Sequence, residues 1–161
     1  MTRDMRRKRQ ALAPEACADI LAQESHGVLA LAGDDFPYAV PLSYVYTDDA
    51  LYFHCAREGM ELACRDSRAS FCVVAEDHIV PEAYTTYYRS VICFGQLSEI
   101  TDDDEKRAAI EALGRKYAPH ESNDHLAEEI HRHWSALCIL KLTPERITGK
   151  EAIELVQARE S

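Results

Sequence analysis

His54 and Cys55 are the neighbouring residues whose side chains could do the most varied chemistry, and they end the apolar run Leu51-Tyr-Phe-His-Cys55. An imidazole can bind an anion or a metal ion, and a thiolate can act as a nucleophile. The alternative for His54 is a packed, hydrogen-bonded histidine at a strand end. The alternative for Cys55 is a small buried hydrophobic residue. His54 is therefore a candidate catalytic residue whose role the sequence leaves open.

Other residue types that could build a reactive site do not form a recognisable constellation. His131 and His133 lie two positions apart on a predicted helix, so their side chains point away from each other and a surface location is favoured over a metal site. Asp102-Asp-Asp104 is better explained as the start of a helix than as a cation site. The sequence has no Gly-rich phosphate loop, nucleophile elbow or paired-carboxylate motif. We therefore predict no metal centre.

Cysteine spacing and hydropathy indicate in which cellular compartment the protein works. The cysteines at positions 17, 55, 64, 72, 93 and 138 form no C-x-x-C pair, which argues against a zinc ribbon or a thioredoxin motif. Apolar runs are too short to span a bilayer, and Glu15 and Asp19 interrupt the stretch that could form a signal-peptide core. We expect reduced thiols and a cytoplasmic protein without a membrane partner.

The net charge of −10 is unevenly distributed along the chain. Residues 1–9 carry five basic side chains and one acidic one, so residues 1–10 form a basic N-terminal arm, for which we predict a solvated tail. Between Gln10 and Glu105 the basic residues are Arg57, Arg65, Arg68 and Arg89. Because nucleic-acid binding depends on a broad basic face, this distribution argues against a nucleic-acid partner.

Hydrophobic periodicity and turn residues predict an α+β domain that is mainly β. Six strands are predicted over residues 27–32, 38–46, 50–55, 70–76, 85–100 and 137–142. Helices are predicted over residues 14–25 and 57–66 and as a pair over about 102–134, before the last strand. Pro41 predicts a bulge or an unpaired edge, and Gly95 predicts a bend. Short turns favour an antiparallel sheet that curls into a barrel, which removes its edges.

Three stretches carry a family resemblance. They are Pro37-Tyr-Ala-Val-Pro-Leu-Ser-Tyr44, Leu51-Tyr-Phe-His-Cys-Ala-Arg-Glu-Gly59 and Thr85-Thr-Tyr-Tyr-Arg-Ser-Val-Ile-Cys-Phe-Gly95. Together they resemble the pyridoxamine-phosphate-oxidase-like split-barrel flavoproteins, in particular the nitroimidazole-resistance branch. The match continues, in the family's order, from Arg6-Arg7-Lys8 to Ile147-Thr-Gly149. The resemblance implies one domain over residues 1–161, a six-stranded antiparallel split β-barrel with flanking helices.

The resemblance also implies a homodimer with FMN in the cleft between protomers; FAD and haem are alternative cofactors. The flavin ring edge would follow the backbone of Val40, Pro41, Leu42, Ser43 and Tyr44. The ribityl chain and phosphate would lie beside His54, Cys55 and Ala56. Thr86, Tyr88 and Ser90 would reach the site from the long strand of the same protomer or of its partner. Tyrosines at 38, 44, 46, 52, 84, 87 and 88 are explained by strand and interface preferences, with flavin stacking as the alternative.

The sequence departs from the family pattern at Met60-Glu61, where the family has a basic pair that includes a phosphate-binding Lys. The substitution places an anion close to the expected phosphate. Arg57 and Arg65, the N-terminal N–H groups of the intervening helix and the Arg6–Arg9 arm offer compensation.

The resemblance implies an FMN-dependent oxidoreductase that acts on a small-molecule substrate and reduces small aromatic or nitro compounds. A flavin supplies the redox chemistry, so a catalytic acid–base dyad is not required. The alternative function is a non-catalytic split barrel that binds haem or a small metabolite and has lost the usual phosphate contact.

Overall fold

The computed structural model describes residues 6–33, 35–55 and 66–160. The strands are β1 (His26–Leu31), β2 (Tyr38–Ser43), β3 (Val45–Thr47), β4 (Ala50–Cys55), β5 (Arg68–Val80), β6 (Thr85–Glu99) and β7 (Cys138–Glu151). The helices are α1 (Pro14–Gln23), α2 (Asp103–Tyr117), α3 (Asn123–His133) and α4 (Ile153–Glu160), and short 3-10 turns cover Lys8–Gln10 and Pro81–Ala83.

The sheet is antiparallel, and its strand order is β2-β1-β5-β6-β7-β4-β3. Strands β2 and β3 therefore lie at opposite edges although only Tyr44 separates them in sequence. A flat sheet could not satisfy this connection, so the sheet must curl until its two edges approach each other. The result is the predicted α+β, mainly β split barrel.

Tyr117, the last residue of α2, binds the backbone of Tyr44, where the two edges of the sheet meet. Its hydroxyl accepts a hydrogen bond from the Tyr44 backbone N–H at 2.9 Å and lies 2.8 Å from the Tyr44 carbonyl oxygen. The same hydroxyl contacts the Ser25 carbonyl oxygen. Since buried backbone groups need partners, this single hydroxyl replaces the ladder bonds that the break between β2 and β3 removes.

Lys116 reinforces this closure. Its Nζ donates to the Glu24 carbonyl oxygen at 2.6 Å and lies 4.3 Å from the centroid of the Tyr44 ring. Burial lowers the pKa of Lys116 below its ordinary value. The end of α2 therefore connects the end of α1 to the junction between β2 and β3.

Aromatic side chains fill the interior of the barrel. The Tyr44 ring packs edge-on against Phe71 with centroids 4.8 Å apart, and Phe71 packs against Phe53 at 5.0 Å. All three side chains are fully buried. On the opposite side of β4, a second cluster that includes Tyr52, Leu113 and Ile139 packs beneath α2 and α3. The interior is consequently a packed core rather than a ligand chamber.

Several local predictions are confirmed. Strand β4 has the predicted bounds, and the Asp102 side chain caps α2 by accepting a hydrogen bond from the Glu105 N–H at 2.8 Å. The register of β6 and β7 shifts between Phe94 and Gly95, where the bend was predicted. A Cβ at Gly95 would lie 2.0 Å from the Thr143 carbonyl oxygen, so this close approach requires glycine.

Other predicted bounds were wrong. The predicted strand 38–46 is two strands broken at Tyr44, which makes seven strands in the described part of the chain instead of six. Pro41 lies on the edge strand β2, which confirms the unpaired edge that was one of its two predicted alternatives, and the β1–β2 register passes it without a bulge. The last strand extends to Glu151 instead of Leu142, because its second half pairs with β6. The strand predicted over residues 70–76 is the longer β5, Arg68–Val80, which forms a long hairpin with β6.

The prediction of a solvated tail was wrong for Lys8–Gln10. These residues form a 3-10 turn, and the buried Gln10 side chain donates to the Glu151 carbonyl oxygen at 3.1 Å. Arg9 forms an ion pair with Glu160 of α4 at 2.8 Å. The predicted helix over 57–66 lies outside the described residues except for Asp66. Within the described ranges, no helix has the length and apolar character needed to cross a membrane.

Removing the Tyr117 hydroxyl should destabilise the barrel. We expect Tyr117→Phe to lower the free energy of unfolding by about 1–3 kcal/mol, because the Tyr44 N–H loses its partner in a partly buried setting. Urea denaturation followed by circular dichroism measures this difference. Tyr44→Phe is the matched control, since the Tyr44 hydroxyl is buried and has no hydrogen-bond partner among the described residues. Equal stability of Tyr117→Phe and the parent chain would contradict the closure role.

Candidate functional site

The edge strand β2 presents the first group of predicted cofactor residues. Val40 and Leu42 are half-buried and pack against the barrel core, whereas Pro41 and Ser43 are exposed on the outer face. The backbone groups of Tyr44 already bond Tyr117. In the described part of the chain β2 pairs with β1 on one side and with no strand on the other. Its free edge can therefore offer backbone hydrogen bonds to a planar ligand.

Strand β6 presents the second group on the outer face of the sheet. Thr86, Tyr88 and Ser90 alternate with side chains that face the other side, and all three are half-buried. Lys150 of β7 is the cross-strand partner of Ser90, and its Nζ lies 5.3 Å from the centroid of the Tyr88 ring. Lys150 makes no ion pair with any described residue. This surface therefore combines hydroxyl groups, an aromatic face and an unneutralised cation.

Arg89 lies between these residues in sequence but serves a different purpose. Its guanidinium contacts Glu76 at 3.0 Å and Glu151 at 3.3 Å. The Glu151 side chain is 1% exposed and also lies 2.9 Å from Arg159 of α4. A buried carboxylate needs such charge compensation, so Arg89 is already neutralised by the fold. Of the two cations, Lys150 is the one available to an anionic ligand.

Sequence reasoning did not identify Lys150. The predicted last strand ended at Leu142, which left Lys150 in a segment without an assigned structure. Extending that strand would have placed Lys150 beside β6. The available signal was the alternation Arg146, Thr148, Lys150 on the outer face of β7.

A single chain does not bring the two groups together. Strands β1 and β5 lie between β2 and β6, so at about 4.8 Å per strand the two groups are about 14 Å apart across the sheet. A ligand that contacts both must be long, or one of the groups must come from a second protomer.

His54 and Cys55 point to opposite faces of β4. Cys55 belongs to the barrel core, whereas His54 is exposed and lines a cavity of about 440 Å³ beneath α2 and α3. Ala56, Arg57, Met60, Glu61 and Arg65 lie outside the described residues. Their proximity to a phosphate remains a prediction. The histidines do not assemble with other ligands either, since no group of potential metal ligands occurs among the residues described.

Comparison with known proteins places the chain in a family. The family model described as pyridoxamine 5'-phosphate oxidase matches residues 13–151. The chain belongs to this family. The matched range includes all of β2, β4, β6 and β7, which carry the residues described above. A search of curated protein sequences found no match.

Several solved structures share the fold of this chain. A candidate 5-nitroimidazole antibiotic resistance protein from Bacteroides thetaiotaomicron is 21% identical, with a TM-score of 0.70 over 88% of this chain and 86% of that one. The flavocytochrome Anf3 from Azotobacter vinelandii is 16% identical, with a TM-score of 0.76 over 99% and 80%. An FAD- and haem-binding protein from Mycobacterium smegmatis is 22% identical, with a TM-score of 0.70 over 95% and 80%.

The thiols of the barrel interior should be unreactive. Burial, reinforced by the nearby Cys17 and Cys72 thiols, raises the pKa of Cys93 to about 12. Cys93 therefore stays protonated at pH 8, and the thiol form is a poor nucleophile. We expect iodoacetamide to leave Cys93 unmodified in the native protein and to alkylate it fully in urea, as measured by peptide mass spectrometry. Rapid labelling of native Cys93 at pH 8 would contradict this burial.

Proposed function

We propose that this member of the pyridoxamine 5'-phosphate oxidase family is a cytoplasmic, FMN-dependent oxidoreductase that reduces small aromatic or nitro compounds. The observation that carries the proposal is the surface around Lys150. In a protein of net charge −10, a half-buried lysine without an ion-pair partner in the described residues lies beside the Tyr88 ring and the Ser90 hydroxyl. Such a cation matches a ligand that carries negative charge on or near an aromatic ring.

The residues present fit a flavin in four respects. The open edge of β2 has backbone groups for the polar edge of the ring, and Tyr88 has an aromatic face for it. Thr86 and Ser90 can donate hydrogen bonds from their hydroxyls, and Lys150 can stabilise the negative charge that the oxygen-bearing edge of the ring gains on reduction. The resemblance assigns the phosphate to the segment from His54 to Arg65, and Arg57 and Arg65 would hold it there.

The bound flavin would supply the electron transfer itself: two electrons and two protons convert an aromatic nitro group into a nitroso group and water, and an external reductant restores the reduced flavin. The chain's own residues would bind and orient the cofactor, and the Tyr88 ring would shield one side of it from water. The solved structures of a flavocytochrome and of an FAD- and haem-binding protein support a flavin on this fold.

The outer face of the sheet supports a homodimer. Pro41, Val28, Cys72, Ile92 and Thr148 form one row across five strands. Within and beside this row, Val28 is 40% exposed and Val74 is 56% exposed. An exposed apolar sheet face is typical of an interface. A second copy on this face would cover the row and could bring its own β2 edge towards β6.

Neutralising Lys150 should weaken FMN binding. We expect Lys150→Gln to raise the Kd about tenfold, or ~1.4 kcal/mol, because one charge interaction with the ligand is lost. Flavin fluorescence quenching during titration measures the Kd. Arg107→Gln removes a cation on α2 and is the control, for which we expect an unchanged Kd. An unaltered Kd in Lys150→Gln would contradict the placement, and failure of the parent chain to bind FMN would contradict the function.

Placing a charge on the outer face should separate the protomers. We expect Val74→Lys to shift the protein from dimer to monomer in sedimentation velocity, because burying an unpaired ammonium at an interface is costly. Ala127→Lys, on the exposed side of α3, should leave the dimer intact. A parent chain that sediments as a monomer, or a Val74→Lys variant that remains dimeric, would contradict the proposed interface.

A further inference from the structure

A cavity of about 440 Å³ lies between α2, α3 and the outer face of β4. This volume falls within the range of pockets that hold small molecules, roughly 300–1,000 Å³. Its wall is mainly apolar, and the residues that form this apolar part are Ile110, Gly114, Leu126, Ile130, Ala136 and Leu137. The cavity shares only His54 with the residues proposed for flavin binding.

The two helices fix the shape of the cavity. A Cβ at Gly114 would lie 2.4 Å from Leu126 Cδ1, so α2 and α3 are in close contact at this point. Leu137 belongs to the core cluster beneath the helices, and Ile130 is a buried residue of α3 itself; together they form the floor. Ala136 is exposed and forms part of the rim. The floor is therefore rigidly packed, whereas the rim is open to solvent.

The polar part of the wall consists of His54, Glu129 and His133. The Glu129 carboxylate contacts Arg132 through one oxygen and lies 3.7 Å from His133 Nε2 through the other. Arg132 compensates its charge, but two carboxylate oxygens can accept about four hydrogen bonds, so Glu129 retains capacity for another donor. A ligand anion would be repelled by the carboxylate, and a ligand cation would gain little because Arg132 already compensates the charge of Glu129.

We propose that this cavity is a binding site for a small, uncharged aromatic molecule that carries one hydrogen-bond donor, of the phenol or indole class. The apolar wall takes the ring, and Glu129 accepts the hydrogen bond. The site lies on a different surface from the β2 edge and from Lys150, and it shares His54 with the segment to which the resemblance assigns the flavin phosphate.

Isothermal titration calorimetry of the full-length protein with indole and with benzofuran tests the site, because benzofuran has a similar shape but no N–H. We expect indole to bind at least tenfold more tightly than benzofuran. Glu129→Gln should reduce that preference, since a neutral amide is a weaker acceptor than a carboxylate. Ala136→Phe places a ring at the rim and should weaken both ligands at least tenfold. Ala127→Phe, an exposed position on α3 outside the cavity wall, is the control.

Fluorescence of Trp134, the only tryptophan in the chain, gives a second readout because it directly follows His133 of the cavity wall. Indole itself fluoresces, so phenol is the titrant for this measurement, excited at 295 nm. Absence of binding, or equal binding to the parent chain and Ala136→Phe, would overturn the proposal. Weaker indole binding in Lys150→Gln would also overturn it, because it would place the ligand at the surface around Lys150.

Discussion

The hydrogen bonds between the Tyr117 hydroxyl and the Tyr44 backbone determine much of the rest of the structure. One residue connects the two opposite edges of the sheet, and its backbone groups cannot join either strand ladder. Tyr117 satisfies them from outside the sheet. The closure also buries the Tyr44 ring against Phe71 inside the barrel. Because the interior is then filled with side chains, a ligand must bind at an edge or on an outer face.

Some cations near the ends of β6 and β7 stabilise the fold, whereas Lys150 is available to bind an anionic ligand. Arg89 and Arg159 converge on the buried Glu151 carboxylate, and this cluster holds the ends of β6 and β7 near the N-terminal turn. Lys150, the next residue along β7 towards the N-terminus, projects to the other face and meets Tyr88 instead. Strand alternation thus gives neighbouring residues opposite roles, one in the fold and one at the candidate site.

Local signals in the sequence were sufficient to predict the bounds of β4, the helix cap at Asp102 and the bend at Gly95. They were insufficient at Tyr44, because an apolar residue in a β-like run gives no indication that its partner is Tyr117, 73 positions away. The last strand was predicted to end at Leu142, before Pro144 and Gly149, whose residue types are unfavourable within a strand. Pairing with β6 outweighs that preference, and Pro144 lies at the register shift opposite Gly95, where a missing N–H is tolerated. The family resemblance indicated β2 and β6 but not Lys150, since the lysine's position depends on that long-range pairing.

The absorbance spectrum of the purified protein tests the central claim most directly, namely that this acidic split barrel holds a flavin on its outer surface. The account predicts a yellow protein with a band near 450 nm and about one flavin per protomer. A colourless protein that takes up no added FMN would contradict it, and so would a sharp band near 400 nm, which is typical of haem.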